Sequence, residues 1–243
     1  DCFNLDIERA EKICDLIIKE GLNIKYEMYN GIRADRVTER LLRKMKDSGC
    51  VFVSYGCESG NQGVINNMGK ALKIEKVREA VELTNKVGIR NTVHFIIGHK
   101  GETYETAMET IKFARTLPTN FVNFYNIIPY PGTDLYTWAS KNASYMMPVD
   151  EYVGKVGNRD LIPVFETKEF SREDRIKVLK KGYALYEKTV LQFRLGKILG
   201  YVAYLISRNR ILFSLGRKFI LRNRFGSYVY NLLSFKSRNR TPL

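Results

Sequence analysis

The 243-residue chain predicts an α/β fold organised around a parallel sheet. Strand-like and helix-like stretches alternate four times, in units of roughly 30–40 residues, as crossover connections between parallel strands require. Gly or Pro closes the strand-like stretches, and charged or polar residues gather in the turns that follow them. Functional groups at the carboxyl ends of several different strands mark barrel-type folds. A Rossmann sheet would show a Gly-rich first turn after a first strand, and none is present.

Each element has its own signal. Residues 6–20 set Ile7, Ala10, Ile13, Cys14, Ile17 and Ile18 at helical spacing, and Gly21 stops the helix. Residues 23–30 alternate Ile24, Tyr26 and Met28 with polar neighbours and predict a strand. Thr38 caps a helix over 38–48 that ends at Gly49, and residues 50–56 form a short buried strand. A helix over 74–87 ends at Gly88, and a strand over 89–97 ends at Gly98. Thr103 caps a helix over 103–116, and Leu117-Pro118 lies beyond its end. A strand over 120–128 stops at Pro129, and a helix covers 133–142. Residues 172–187 form a later helix that starts at Ser171 and carries Arg and Lys along its outer face.

Composition narrows the function. At 44% hydrophobic and 27% charged, the chain is too apolar for disorder and too polar for a polytopic membrane protein. Residues 1–171 hold 23 Lys+Arg and 23 Asp+Glu, whereas residues 172–243 hold 17 against 3. A uniformly basic nucleic-acid-binding domain is thereby excluded; a neutral globular part with a cationic tail remains. The tail's longest apolar run, Ile198–Ile206, is nine residues, far short of the ~20 a membrane span needs. Cationic and apolar residues interleaved over 188–243 suit an anionic membrane surface or a helical cap with a solvated face. A nucleic-acid partner ranks behind both. Four Cys make no disulfide framework, so reduced thiols and a cytoplasmic, membrane-associable setting are expected.

No zinc spacing accompanies the two His, His94 and His99, and no nucleophile elbow surrounds a Ser. Cys14 and Cys50 read as core, Cys57 as core beside a rim residue, and His94 as a strand residue directed into the barrel.

Five runs occur in order at the strand ends: Asp1-x-Phe3-x-x-Asp6-x-x-Arg9, Arg33-Ala34-Asp35-Arg36, Gly56-x-Glu58-Ser59-Gly60, Gly98-x-x-Gly101-Glu102-Thr103 and Pro129-Tyr130-Pro131-Gly132-Thr133. Together they resemble the radical S-adenosylmethionine enzymes, in particular the branch with an N-terminal cobalamin-binding domain. The resemblance implies a partial (β/α)6 TIM-like barrel over residues 1–145, N-terminally truncated, followed by a basic helical extension over 146–243. It also implies that S-adenosylmethionine binds at the carboxyl ends of the strands. Carried over by position, Asp1 would contact the methionine amino group, and Arg33 would pair with the methionine carboxylate or with substrate. Glu58 would bind the ribose or amine, Ile96 and Gly98 would pack beside the adenine, and Tyr125 and Tyr130 would close the adenine pocket.

The family's C-x-x-x-C-x-x-C triplet for a 4Fe–4S cluster is absent, since the Cys stand at positions 2, 14, 50 and 57. Lys100 replaces the family's usual Pro before Gly101-Glu102. A start at Asp1 rather than Met suggests a truncated chain whose cluster ligands lie upstream; a degenerate member without a cluster is the rival explanation. The implied function is part of an enzyme that generates a 5′-deoxyadenosyl radical, or that supports cobalamin-dependent methyl transfer or oxidative cyclisation. Its partners would be a small-molecule substrate and an electron donor such as flavodoxin or ferredoxin. The alternative is a non-catalytic protein that binds a nucleoside-like ligand or a membrane surface.

Overall fold

A computed structural model describes residues 2–157 and 160–209; Asp1 lies outside the described residues. The chain divides into two compact units, 1–186 and 187–243, so residues 146–186 belong with the sheet rather than with the basic tail.

The first unit is built on β1 (Tyr26–Ile32), β2 (Cys50–Glu58), β3 (Arg90–Ile97) and β4 (Phe121–Asn126). The four strands are all parallel in the order β1-β2-β3-β4, so chain order and spatial order coincide. Preceding and connecting them are α1 (Ile7–Lys19), α2 (Glu39–Asp47), α3 (Gln62–Asn67), α4 (Ile74–Val87) and α5 (Tyr104–Thr116). The helix starts follow from their caps. Asp6 accepts the Arg9 amide, Thr38 the Leu41 amide, and Thr103 forms a reciprocal capping box with Thr106. Helices α1, α2, α4 and α5 pack on one face of the sheet, where Val53, Tyr55, Val93, Phe95, Ile97, Val122 and Phe124 join Cys14, Leu42, Val81 and Ile111 in one core. Cys14, Cys50 and Cys57 are buried there as free thiols.

Because a strand alternates its side chains, the opposite face receives Phe52, Ser54 and Glu58 from β2, Thr92, His94 and Ile96 from β3, and Asn123 and Tyr125 from β4. This face is far more polar than the helix-packed one. Asn123 donates to Thr92 Oγ1 at 2.9 Å, and His94 Nδ1 shares a hydrogen bond with the Tyr125 hydroxyl at 3.1 Å. The expected inward direction of His94 therefore holds.

After β4 come α6 (Asp134–Asn142), β5 (Ser144–Tyr145), α7 (Val149–Lys155) and β6 (Phe165–Glu166). The two short strands pair antiparallel, and around them Ile127, Ile128, Tyr152, Val164 and Phe165 form a small second core. Tyr152 reaches back to donate to the Pro129 carbonyl at 2.7 Å, which ties this appendage to the turn after β4. The following helix α8 spans Arg172–Leu195, longer than the sequence pattern predicts, and α9 spans Lys197–Arg208. One expectation fails in α8. Arg175 is not on a solvated outer face but 1% exposed, its guanidinium lying 4.4 Å from the Phe165 ring centre and 5.0 Å from that of Phe170. Aromatic faces and carbonyls solvate the charge in place of water.

Candidate functional site

The carboxyl ends of β2, β3 and β4 meet at a cavity of about 320 Å³, walled by Glu58, His94, Ile96, Tyr125, Tyr130 and the Asn126–Ile128 segment. Four residues expected at a common site thus do line one cavity: Glu58, Ile96, Tyr125 and Tyr130. Tyr130, 47% exposed, stands at its mouth.

Glu58 reaches the rim through unusual backbone. The β2–β3 register slips between Gly56 and Glu58, a bulge that turns Cys57 into the core and leaves Glu58 as the last strand residue. Glu58 takes φ 69°, the left-handed conformation, and among the described residues no other non-Gly residue does so. Such backbone is costly for a side chain with a Cβ and concentrates at functional positions. Lys70 holds the carboxylate: its Nζ donates to Glu58 Oε1 at 2.9 Å and to the Gly56 carbonyl at 2.8 Å. Ser59 and Gly60 serve packing instead. The Ser59 hydroxyl lies 3.0 Å from Thr110 Oγ1, and the Gly60 amide donates to the same oxygen at 2.9 Å, so this turn is fixed to α5.

The turn after β3 holds a second buried polar group. Glu102 accepts the Gly98 amide at 2.5 Å and the His99 amide at 3.2 Å. Burial pushes its carboxyl up to about 7, against the lowering effect of those two amides and of Arg175. Arg175 donates to the Phe170 carbonyl at 3.1 Å and to the Gly98 carbonyl at 3.4 Å, and burial brings its guanidinium down to about 10. The His99 imidazole falls to about 4, chiefly by burial and then by the cations Lys70 and Arg175. A neutral imidazole and a carboxyl able to hold its proton near neutrality therefore sit behind the rim.

Two expected residues stand elsewhere. Gly98 does not line the cavity: the space where its Cβ would project is filled by Arg175 and Ile127. Its lack of a side chain leaves room for the Arg175 guanidinium of α8. Arg33 grips Asp35 through Nε at 3.0 Å and Nη2 at 2.7 Å, within a turn that Asn4 secures by hydrogen bonds to Arg33 and to the Arg36 carbonyl. Asp1 lies outside the described residues. Sequence reasoning missed Lys70 and Arg175, and neither carries a local signal, since each acts across the chain.

Among the described residues no three His, Cys, Asp or Glu side chains group as metal ligands. Cys14, Cys50 and Cys57 are buried one by one, with burial pushing the Cys57 thiol up to about 12 and the Cys50 thiol to about 11. A 4Fe–4S cluster, which needs grouped thiolates, does not fit these residues. The cavity does fit a nucleoside: aromatic and aliphatic walls with a positioned carboxylate at one side.

Comparison with known proteins agrees with this architecture. Residues 3–114 match the model of the Radical SAM superfamily. An uncharacterized methyltransferase of Pyrococcus horikoshii is 33% identical over 184 residues, 75% of this chain and 38% of that protein. The anaerobic magnesium-protoporphyrin IX monomethyl ester cyclase of Rubrivivax gelatinosus is 30% identical over 125 residues, 51% of this chain and 22% of that protein. In structure, the chain is similar to the radical S-adenosylmethionine methyltransferase TsrM of Kitasatospora setae, solved with cobalamin and a 4Fe–4S cluster bound. The TM-score is 0.53 at 18% identity, over 68% of this chain and 34% of that one, a likeness of fold. Residues 3–114 carry the radical SAM superfamily match, and the parallel sheet is consistent with the partial-barrel arrangement that the motifs imply. It spans less than two fifths of the length of either relative.

Proposed function

We propose that residues 1–186 bind S-adenosylmethionine at the carboxyl rim of β2–β4, as part of a radical SAM enzyme whose cluster ligands lie outside residues 1–243. The observation that carries this reading is the convergence on one cavity of Glu58, in a strained bulged conformation, with Ile96, Tyr125 and Tyr130. In it Glu58 accepts hydrogen bonds from ribose hydroxyls or the methionine amine, and Lys70 keeps the carboxylate aimed. Ile96 and the two Tyr rings enclose the adenine and exclude water. Asp1 and Arg33 are proposed as further contacts of the methionine moiety.

When bound, S-adenosylmethionine supplies the adenosyl and methyl groups. Methyl transfer or oxidative cyclisation is the proposed reaction class, supported by relatives named as a methyltransferase and a cyclase. Cobalamin is proposed as a second cofactor on the strength of the TsrM likeness. The proposed partners are a small-molecule substrate, an electron donor of the flavodoxin or ferredoxin kind and, through residues 188–243, an anionic membrane surface. Four free Cys support a reducing, cytoplasmic setting.

Calorimetric titration of the chain with S-adenosylmethionine tests the reading. Glu58→Gln, which removes the charge and keeps the shape, is expected to weaken binding about tenfold. Equal affinity in the variant removes Glu58 from the site, and no binding by the parent chain removes the site. The second reading, a non-catalytic nucleoside-binding protein, is favoured by the lack of grouped cluster ligands among the described residues. It predicts that the full-length protein binds S-adenosylmethionine yet never cleaves it under reduction.

A further inference from the structure

Helix α9 carries its apolar residues on two opposite sides, and among the described residues one side is packed and the other is exposed. Gly200 is buried, and a Cβ there would collide with the backbone of Leu191 and Gln192 on α8. That close approach fixes which side of α9 faces α8. Ile198, Leu199, Val202 and Leu205 recur at one-turn spacing on the other side and are 79%, 68%, 46% and 49% exposed. A run of large apolar side chains this exposed is uncommon on a protein surface that contacts only water.

Charge identifies what meets this face. From residue 187 onward the sequence holds twelve Lys or Arg and the single acid Glu187. Lys197 and Arg208 stand at the two ends of α9, and Lys188 lies with its Nζ 5.1 Å from the centre of the Tyr201 ring. Apolar side chains bordered by cations match the boundary of an anionic bilayer, where acyl chains lie just beneath phosphate groups. A protein groove would not demand so uniform a charge. At twelve residues α9 is about 18 Å long, too short to cross a hydrocarbon core of about 30 Å. No helix among the described residues is long and apolar enough to span a membrane. The geometry that remains is a helix lying in the plane of the surface.

We propose that α9 docks on an anionic lipid surface, with Ile198, Leu199, Val202 and Leu205 entering the headgroup–acyl boundary and the flanking cations on lipid phosphates. The inference rests on the membrane reading of residues 188–243 and is independent of S-adenosylmethionine binding. It assigns the insertion to one helix face.

Co-sedimentation of the full chain with sucrose-loaded vesicles provides the test, using phosphatidylcholine alone and phosphatidylcholine with roughly 30% phosphatidylglycerol. The chain is expected to pellet with the anionic vesicles, to stay in solution with the neutral ones, and to be released as salt rises. The double substitution Leu199→Glu with Val202→Glu is expected to reduce the bound fraction about tenfold while circular dichroism stays unchanged. The conservative Val202→Leu is expected to retain binding, which separates insertion from damage to the helix. If the parent chain ignores anionic vesicles, the membrane reading of the basic unit falls. If both parent and double variant bind equally, another segment makes the contact and the assignment to α9 falls. Concentration-dependent self-association that the double substitution abolishes, without lipid binding, would mean that the face meets a second copy of the chain instead.

Discussion

Replacing Glu58 by Gly and by Ala separates the cost of the rim geometry from its use. The left-handed backbone at φ 69° costs an L-residue about 1–2 kcal/mol, a cost Gly escapes and Ala retains. Gly gives back about 0.5–1 kcal/mol through the greater freedom of its unfolded chain. Both substitutions delete the ion pair to Lys70, whose side chains are 22% and 33% exposed, so that loss is at most about 1 kcal/mol and cancels between them. Glu58→Gly is therefore expected within about 1 kcal/mol of the parent, with Glu58→Ala about 1 kcal/mol less stable than Glu58→Gly. That order reverses the usual advantage of Ala over Gly. Urea unfolding followed by circular dichroism measures the difference, and calorimetry with S-adenosylmethionine should show that both variants lose affinity alike. An Ala variant as stable as the Gly variant would mean that the strand end stores no strain, and the argument from backbone to function at Glu58 would be wrong.

Further expectations concern the buried groups behind the rim. Arg175→Met strips Glu102 of its neighbouring cation and removes the bonds to the Phe170 and Gly98 carbonyls, so it should destabilise the chain by about 3 kcal/mol, seen as a lower thermal midpoint. Burial raises Glu102 from an ordinary 4.5 to about 7, so the folded state holds a proton that the unfolded state releases. Its contribution is full below 4.5 and lost as pH rises through 7, by up to about 3 kcal/mol. Below pH 6.5 the lowered His99 imposes the opposite slope, so the net fall should appear between pH 6.5 and 7, and Glu102→Gln should remove it. Among the thiols, iodoacetamide should label half-buried Cys2 in the native chain and reach Cys14, Cys50 and Cys57 only after unfolding, as mass spectrometry of the peptides would show.

Much of the sheet domain was legible because its determinants are local. Thr38 and Thr103 each cap the helix they precede, and the apolar runs at 50–56 and 89–97 are strands of the parallel sheet. The cavity was legible only in part. Glu58, Ile96, Tyr125 and Tyr130 follow from their places at strand ends, which topology brings together. Lys70 lies twelve residues beyond Glu58, and no periodicity announces that it turns back. Arg175 was misjudged for a related reason. A basic helix reads as solvated until Phe165, Phe170 and the Gly98 carbonyl are seen to enclose one of its cations. Helix α3 is six residues long, too short for a repeating pattern, and β5 pairs with β6 across about twenty residues of intervening chain. Gly98 signals a close approach at a strand end without naming the neighbour, and the structure adds Arg175 and Ile127 there.

The strand order also bears on how this polypeptide must be handled. Strands β1 and β4 are the outer members of the four, and among the described residues each has a ladder partner on one side only. Backbone amides and carbonyls along an open border bind any extended peptide that comes within reach. Expressed by itself, the sheet unit should therefore tend to join border to border into soluble oligomers or precipitate. Supplying in trans the neighbouring part of a longer relative should suppress that tendency.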